Sequence, residues 1–237
     1  PRLQRDYFTF MSWFYFSPLL CDVRNLALRS NSFSFEQPMF AVLYGSSNCG
    51  KTSLLETLMA SMFSHPRIVG TEHFTRTSLR GLQSAFKRLP VVFDDVTRDR
   101  FNRHAEEVIK QDYIQYGEYP GFALSMNAEA RNFRDEIVKR CLMIYTRTSL
   151  PGDQTATRHR LQRSIAQIRD GMTTALYREY LRRMVARLNE IKGSERESLA
   201  NVDVLEDSSR VLCDIFREHL PEGGKLPDWC SPMTLEE

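Results

Sequence analysis

Residues 41 to 55 read Ala-Val-Leu-Tyr-Gly45-Ser46-Ser47-Asn48-Cys49-Gly50-Lys51-Thr52-Ser53-Leu-Leu: a short apolar run, a polar loop bounded by glycines, then a helix-like stretch. Gly45 and Gly50 bracket four residues and Lys51-Thr52 follow at once, which matches G-x-x-x-x-G-K-[ST] at every required position. Phosphate binding calls for these residue types. A loop too tight for bulky side chains turns its backbone N–H groups of residues 45 to 53 toward a β-phosphate, and the positive end of the following helix adds to the field. Lys51 is placed to reach the β- and γ-phosphates, and the Thr52 hydroxyl to hold Mg²⁺. The flanks agree with this, since Phe40 to Tyr44 predicts a buried strand and Ser53 to Met62 an amphipathic helix.

About forty residues on, Leu89 to Val96 reads Leu-Pro-Val-Val-Phe-Asp94-Asp95-Val. A β-branched and aromatic run ending in two aspartates is how a buried parallel strand delivers carboxylates to the sheet edge where ligands bind. Taken with the loop, this makes Asp94 the Mg²⁺ carboxylate and Asp95 the group that orients or deprotonates an attacking water. On its own, the pair reads equally well as a strand ending in a turn or helix cap. Phe122 to Met126 is a further apolar strand, tipped by Asn127. Its amide can hydrogen-bond a γ-phosphate or lytic water, or else cap the next helix.

The remaining elements follow from periodicity. Residues 3 to 30 predict helix broken or restarted at Pro18, and Arg29 to Ser34 a polar connector. Arg67 to Gly70 predicts a short strand, Thr77 to Lys87 a helix, Asn102 to Gln111 a charged helix, and Gly117 to Gly121 a turn. Helix is expected from Ala128 through Arg140, then a strand over Cys141 to Thr146. Strands alternating with helices give an α/β fold with a parallel sheet and right-handed crossovers. Leu150-Pro151-Gly152 marks a boundary, after which only helices are expected: Arg160 to Arg169, Thr173 to Ile191 and Val202 to Leu220. The organisation expected is a helical N-terminal segment at 1–37, a nucleotide-binding core at 38–150 and an all-α, lid-like subdomain at 151–237.

Composition narrows the classes. The 237 residues are 42% hydrophobic and 26% charged with a net charge of +2, so bulk charge singles out no partner. Local charge is uneven: between Arg158 and Arg187 eight arginines face two acids, whereas from Asn201 onward nine acids face three bases. That unevenness reads as solvated helix faces or as a basic stripe that follows a nucleic-acid backbone. Five cysteines without a C-x-x-C pair match a reducing cytosol, hence a cytoplasmic location, and no metal-ligand cluster of histidines stands out. No apolar stretch reaches the ~20 residues of a membrane helix. The aromatic run Tyr7 to Phe16 is too short to span and is expected to pack on the core. The chain begins at Pro1 without methionine, which reads as a fragment whose further domains are partners in the larger protein.

The order of loop, Asp-Asp strand, Asn-tipped strand and following arginine resembles the additional-strand P-loop NTPases. More narrowly, it is similar to the superfamily 3 helicase branch of the AAA+ proteins, the branch of papillomavirus helicases and of phage and poxvirus primase-helicases. GSSNCGKT at 45–52, VVFDD at 91–95, ALSMN at 123–127 and KRCLMI at 139–144 carry the resemblance, which spans about residues 38 to 150. It implies a Mg²⁺-dependent ATPase acting at the subunit interfaces of a homo-oligomeric ring, commonly a hexamer, on single-stranded nucleic acid. It also implies that Arg140 acts on a neighbour's γ-phosphate, with Arg131, Arg134, Lys139 and Arg147 close enough to compete for that role. One feature departs from the helicase pattern. Between Val96 and Phe122 there is no Lys-His hairpin, and Arg103, His104 and Lys110 fall on a helical stretch. A nucleotide-controlled assembly switch that regulates another domain is therefore the competing expectation.

Overall fold

The computed structural model describes residues 2–29, 36–111, 117–127, 133–146, 155–193 and 203–235. Four strands form a parallel sheet: β1 (Phe40–Gly45), β2 (Val91–Phe93), β3 (Phe122–Met126) and β4 (Cys141–Thr146), in the order β2-β3-β1-β4. Each of β1, β2 and β3 is buried along its whole length, so their near-continuous apolar runs are the signature of a sheet covered on both faces. The α/β parallel sheet expected from the sequence is present, and the asparagine-tipped β3 is inserted between the loop strand β1 and the acidic strand β2.

Nine helices are described: α1 (Arg2–Phe16), α2 (Leu20–Arg29), α3 (Lys51–Phe63), α4 (Arg76–Ala85), α5 (Arg98–Gln111), α6 (Asp135–Val138), α7 (Thr155–Asp170), α8 (Ala175–Gly193) and α9 (Val204–Glu218). Pro18 sits in a single 3₁₀ turn, Ser17–Leu19, between α1 and α2, where its fixed φ and missing N–H do no harm. Two expectations shrink. The strand expected at 67–70 is one bridge, Val69 to Phe93, on the far side of β2. The helix expected through Arg140 is helical only at Asp135–Val138 among the described residues 133–140, because β4 must begin at Cys141 to pair with Phe40. The boundary read at 150–152 lies outside the described residues, as do Arg131 and Arg147.

The aromatic run of α1 is the centre of the packing. Phe8, Phe10, Trp13, Phe14, Tyr15 and Phe16 are all buried, and with Ser12 the last five residues are buried around the whole turn, so the C-terminal half of this helix is enclosed while its polar first turn reaches solvent. It is enclosed by β1, β4 and α3 on the sheet side and by α8 and α9 beyond. Polar groups along it are satisfied: Trp13 donates to the Pro38 carbonyl at 2.9 Å, Tyr15 shares a hydrogen bond with Ser61 at 2.7 Å, and Ser208 of α9 donates to the Ser12 carbonyl at 2.6 Å. The ring of Tyr15 meets those of Tyr177 and Tyr180 edge-on at 5.1 and 5.3 Å, which joins α8 to the same core. On α8 the inward face is carried by Tyr177, Tyr180, Met184, Leu188 and Ile191, while Val185 is 41% exposed.

The uneven charge resolves into contacts between α8 and α9. Arg183 reaches Glu218 at 2.6 Å and Arg187 reaches Asp207 at 2.9 Å, while Glu179 is held down to about 2 by Arg182 and Arg183. Much of the arginine stripe is therefore paired within the chain.

Trp13→Ala is expected to lower the unfolding free energy by about 3–5 kcal/mol, since the indole fills an enclosed site and its N–H has a buried acceptor. Urea denaturation followed by circular dichroism measures this, and a loss below about 1 kcal/mol would contradict the central place given to α1.

Candidate nucleotide site

Parallel strands deliver their C-terminal ends to one side of the sheet, and the residues singled out in the sequence gather there. β1 ends at Gly45 directly opposite Thr146, the last residue of β4. Gly45 has φ +137, and a Cβ at this position would collide with the Thr146 carbonyl, so only glycine fits. Ser46, Ser47 and Asn48 are exposed at the loop mouth, Asn48 in the left-handed region at φ +61. Cys49 turns inward, its thiol 3.1 Å from the Thr146 hydroxyl, which itself donates to the Tyr44 carbonyl at 3.1 Å. Gly50, at φ +90, leads into α3 without a side-chain cap. The first N–H groups of that helix thus lack an intrahelical partner and form an anion-binding terminus.

Lys51 is buried, and its ammonium donates to the Ser46 carbonyl at 2.7 Å and to the Asn127 side-chain oxygen at 3.0 Å. Asn127 in turn donates from its amide nitrogen to Asp95 at 2.7 Å. One chain of hydrogen bonds therefore links the loop, the β3 tip and the acidic strand. Asp94 and Asp95 lie just past β2, with Asp95 at φ +57. The Ser125 hydroxyl donates to Asp94 and accepts the Asp95 backbone N–H at 2.8 Å, which sets both carboxylates in place. Thr52 and Ser53 occupy the first turn of α3, Thr52 exposed and Ser53 half-buried.

Three participants were not singled out from sequence. Ser125 lies within the ALSMN stretch, yet only its neighbour across the sheet explains its role. Thr146 is visible only through the β1–β4 register. Tyr7 of α1 donates its hydroxyl to the Cys49 carbonyl; burial and the adjoining Cys49 raise its pKa well above the usual phenol range and keep it a donor at neutral pH.

Arg140 stands elsewhere. It precedes β4 at the end of the sheet opposite the loop, since Phe40 pairs with Cys141 and Gly45 with Thr146, and its guanidinium donates to the Lys110 carbonyl at 3.0 Å. Six residues of strand at about 3.3 Å each separate it from its own loop. Arg134 pairs with Glu106 at 2.8 Å.

The donor set suits a nucleotide with a hard divalent cation. No group of three or more His, Cys, Asp or Glu side chains among the described residues forms an all-protein metal cage. A hydroxyl at Thr52 and a carboxylate at Asp94 are the complement that Mg²⁺ takes when phosphates and waters supply the rest. No described helix is long and apolar enough to cross a membrane, and all five cysteines are free thiols.

An additional strand between loop strand and acidic strand, with Lys51, Asn127 and Asp95 joined at their tips, defines a P-loop NTPase domain. The chain belongs to the Aq_aa27 P-loop NTPase domain family, whose model matches residues 1–130. No curated protein matches it.

Gly45→Ala is expected to destabilise the fold by about 2 kcal/mol or more, because it adds both positive-φ strain and a backbone clash. A melting temperature within a degree of wild type would refute the close approach of β1 and β4.

Proposed function

We propose that this chain is a Mg²⁺-dependent ATPase module of the AAA+, superfamily 3 helicase-like kind, working as a homo-oligomeric ring on single-stranded nucleic acid. The observation that carries the ATPase reading is the hydrogen-bonded series Lys51, Asn127, Asp95. Lys51 and the α3 terminus neutralise phosphate charge; Asn127 stands between the loop and the carboxylate, where it can hold a water; Asp95 accepts that water's proton. Bound Mg²⁺ would be held by Thr52 and Asp94 and would offset charge on the phosphates. The oligomeric reading rests on Arg140: it lies at the end of the sheet away from its own loop, so a γ-phosphate that it meets would belong to a neighbouring subunit.

A second reading, the nucleotide-controlled assembly switch, is favoured by two observations. Tyr7 ties the loop to α1, and the described residues between Phe93 and Phe122 hold one helix and no strand. ATPase rate with and without single-stranded DNA, run beside mass photometry with and without ATP, separates the two. DNA-stimulated turnover by a ring supports the motor, and ATP-driven assembly without a DNA response supports the switch.

Lys51→Ala and Asp95→Asn are expected to fold normally and to lower turnover by ~100-fold or more; unchanged turnover in both would end the ATPase assignment. If Arg140 acts in trans, mixing Arg140→Ala with Lys51→Ala protein restores part of the activity in mixed rings, whereas no recovery at any ratio removes that role.

A further inference from the structure

A cavity of about 340 Å³ opens between residues 72–75 and the start of α5. Residues 70–75 follow the Val69 bridge and α5 follows β2, so the cavity lies at the same end of the sheet as the phosphate loop but across the β2 edge. All its lining side chains are polar or charged, which excludes the apolar ligands that most pockets of this size take. Arg100, Arg103 and His104, from the first two turns of α5, converge on it. Arg100 is anchored on the Thr71 carbonyl, while among the described residues Arg103 and His104 make no hydrogen bond or ion pair.

Two helix starts face the same space. Thr75 caps α4 by accepting the Ser78 N–H at 3.2 Å, and Thr97 precedes α5 and accepts the Arg100 N–H at 3.4 Å. Their positive ends add to the arginine field. The two carboxylates of the lining stand at the rim: Glu72 is 72% and Asp99 82% exposed, each 3.5 Å from a neighbour, His73 and Arg98. Solvent screens them, and beyond these single contacts each carboxylate keeps lone pairs that can accept from sugar hydroxyls. The His104 imidazole is held below its usual pKa by burial and then by Arg103 and Arg100. A phosphate bound beside Arg103 would favour the protonated imidazole and offset this depression.

We propose that this cavity is a phosphate-ester subsite for the backbone of a single strand of nucleic acid, with Arg103 and His104 as its phosphate contacts. The assignment rests on the nucleic-acid reading above for its ligand and gives that reading a location two strands from the phosphate loop.

The test uses the Lys51→Ala variant of this chain, in which the phosphate loop is disabled, and follows the imidazole resonances by NMR across a pH titration. His104→Gln assigns the His104 signal. Oligothymidylate is expected to raise the His104 pKa, and Arg103→Glu to weaken oligothymidylate binding about tenfold and to reduce its salt slope by about one. Arg103 is exposed and outside the hydrolytic site, so Arg103→Glu keeps the basal ATPase rate. Inorganic phosphate is titrated alongside: a response to phosphate alone overturns the strand as ligand, and no response to either overturns the subsite. Because this readout needs no hydrolysis, an unmoved His104 in a chain with intact wild-type ATPase removes only the subsite. A responsive His104 in a chain without ATPase removes only the ATPase reading.

Discussion

At the end of β1 the Gly45 backbone lies so close to the Thr146 carbonyl that no side chain fits between them. The loop that follows takes its shape from that contact. The Ser46 N–H reaches the Thr146 carbonyl at 3.3 Å, the Cys49 thiol reaches the Thr146 hydroxyl, and Tyr7 closes the loop from the other side. Neighbours thus hold the loop in place before any phosphate arrives, which lowers the ordering cost of binding. Lys51 is drawn into the same arrangement because its ammonium, once buried, must be met by acceptors, and the Ser46 carbonyl and Asn127 provide them.

The charged surface follows a different logic in each half of the chain. Along α8 and α9 opposite charges face each other: Arg183 to Glu218, Arg187 to Asp207, with Glu179 shared by Arg182 and Arg183. Exposed pairs of this kind contribute about 0.2–1 kcal/mol each, so they fix how two helices lie together more than they stabilise them. At the start of α5 the pattern differs: Arg100, Arg103 and His104 share one cavity with Glu72 and Asp99, yet among the described residues neither Arg103 nor His104 is ion-paired to them. Sequence charge counts point to the arginine-rich 158–187 stretch; the structure transfers the weight to three residues at the sheet edge.

What the sequence disclosed was what is encoded locally. The phosphate loop needs a set spacing over eight residues, and the strands at 40–45, 122–126 and 141–146 are apolar runs that hold whatever they pair with. Asn127 and Asp95 were legible as strand-end residues, yet nothing local says that one donates to the other. Ser125, Thr146 and Tyr7 escaped because their roles exist only across the sheet or across 42 to 97 positions of chain. The 67–70 strand and the long helix before Arg140 failed for a related reason. Propensity allowed both, but the β1–β4 register and the short β2 left room only for a bridge and one turn.

The place of α1 bears on how far the nucleotide site extends. Its Tyr7 touches the phosphate loop, its Ser12 carbonyl is bonded by α9, and its Tyr15 packs on α8. Any shift of the Cys49 carbonyl must break the Tyr7 hydrogen bond or move α1, and the C-terminal half of α1, Ser12 to Phe16, is buried all round, where small displacements are transmitted rather than absorbed. The match to the P-loop family spans residues 1–130 and so takes in α1 together with the loop, Asp94, Asp95 and Asn127. The helix ahead of the sheet is therefore part of what gives the loop its shape, and together with α3, which packs on α7 and α8 directly, it connects the phosphate loop to the C-terminal helices.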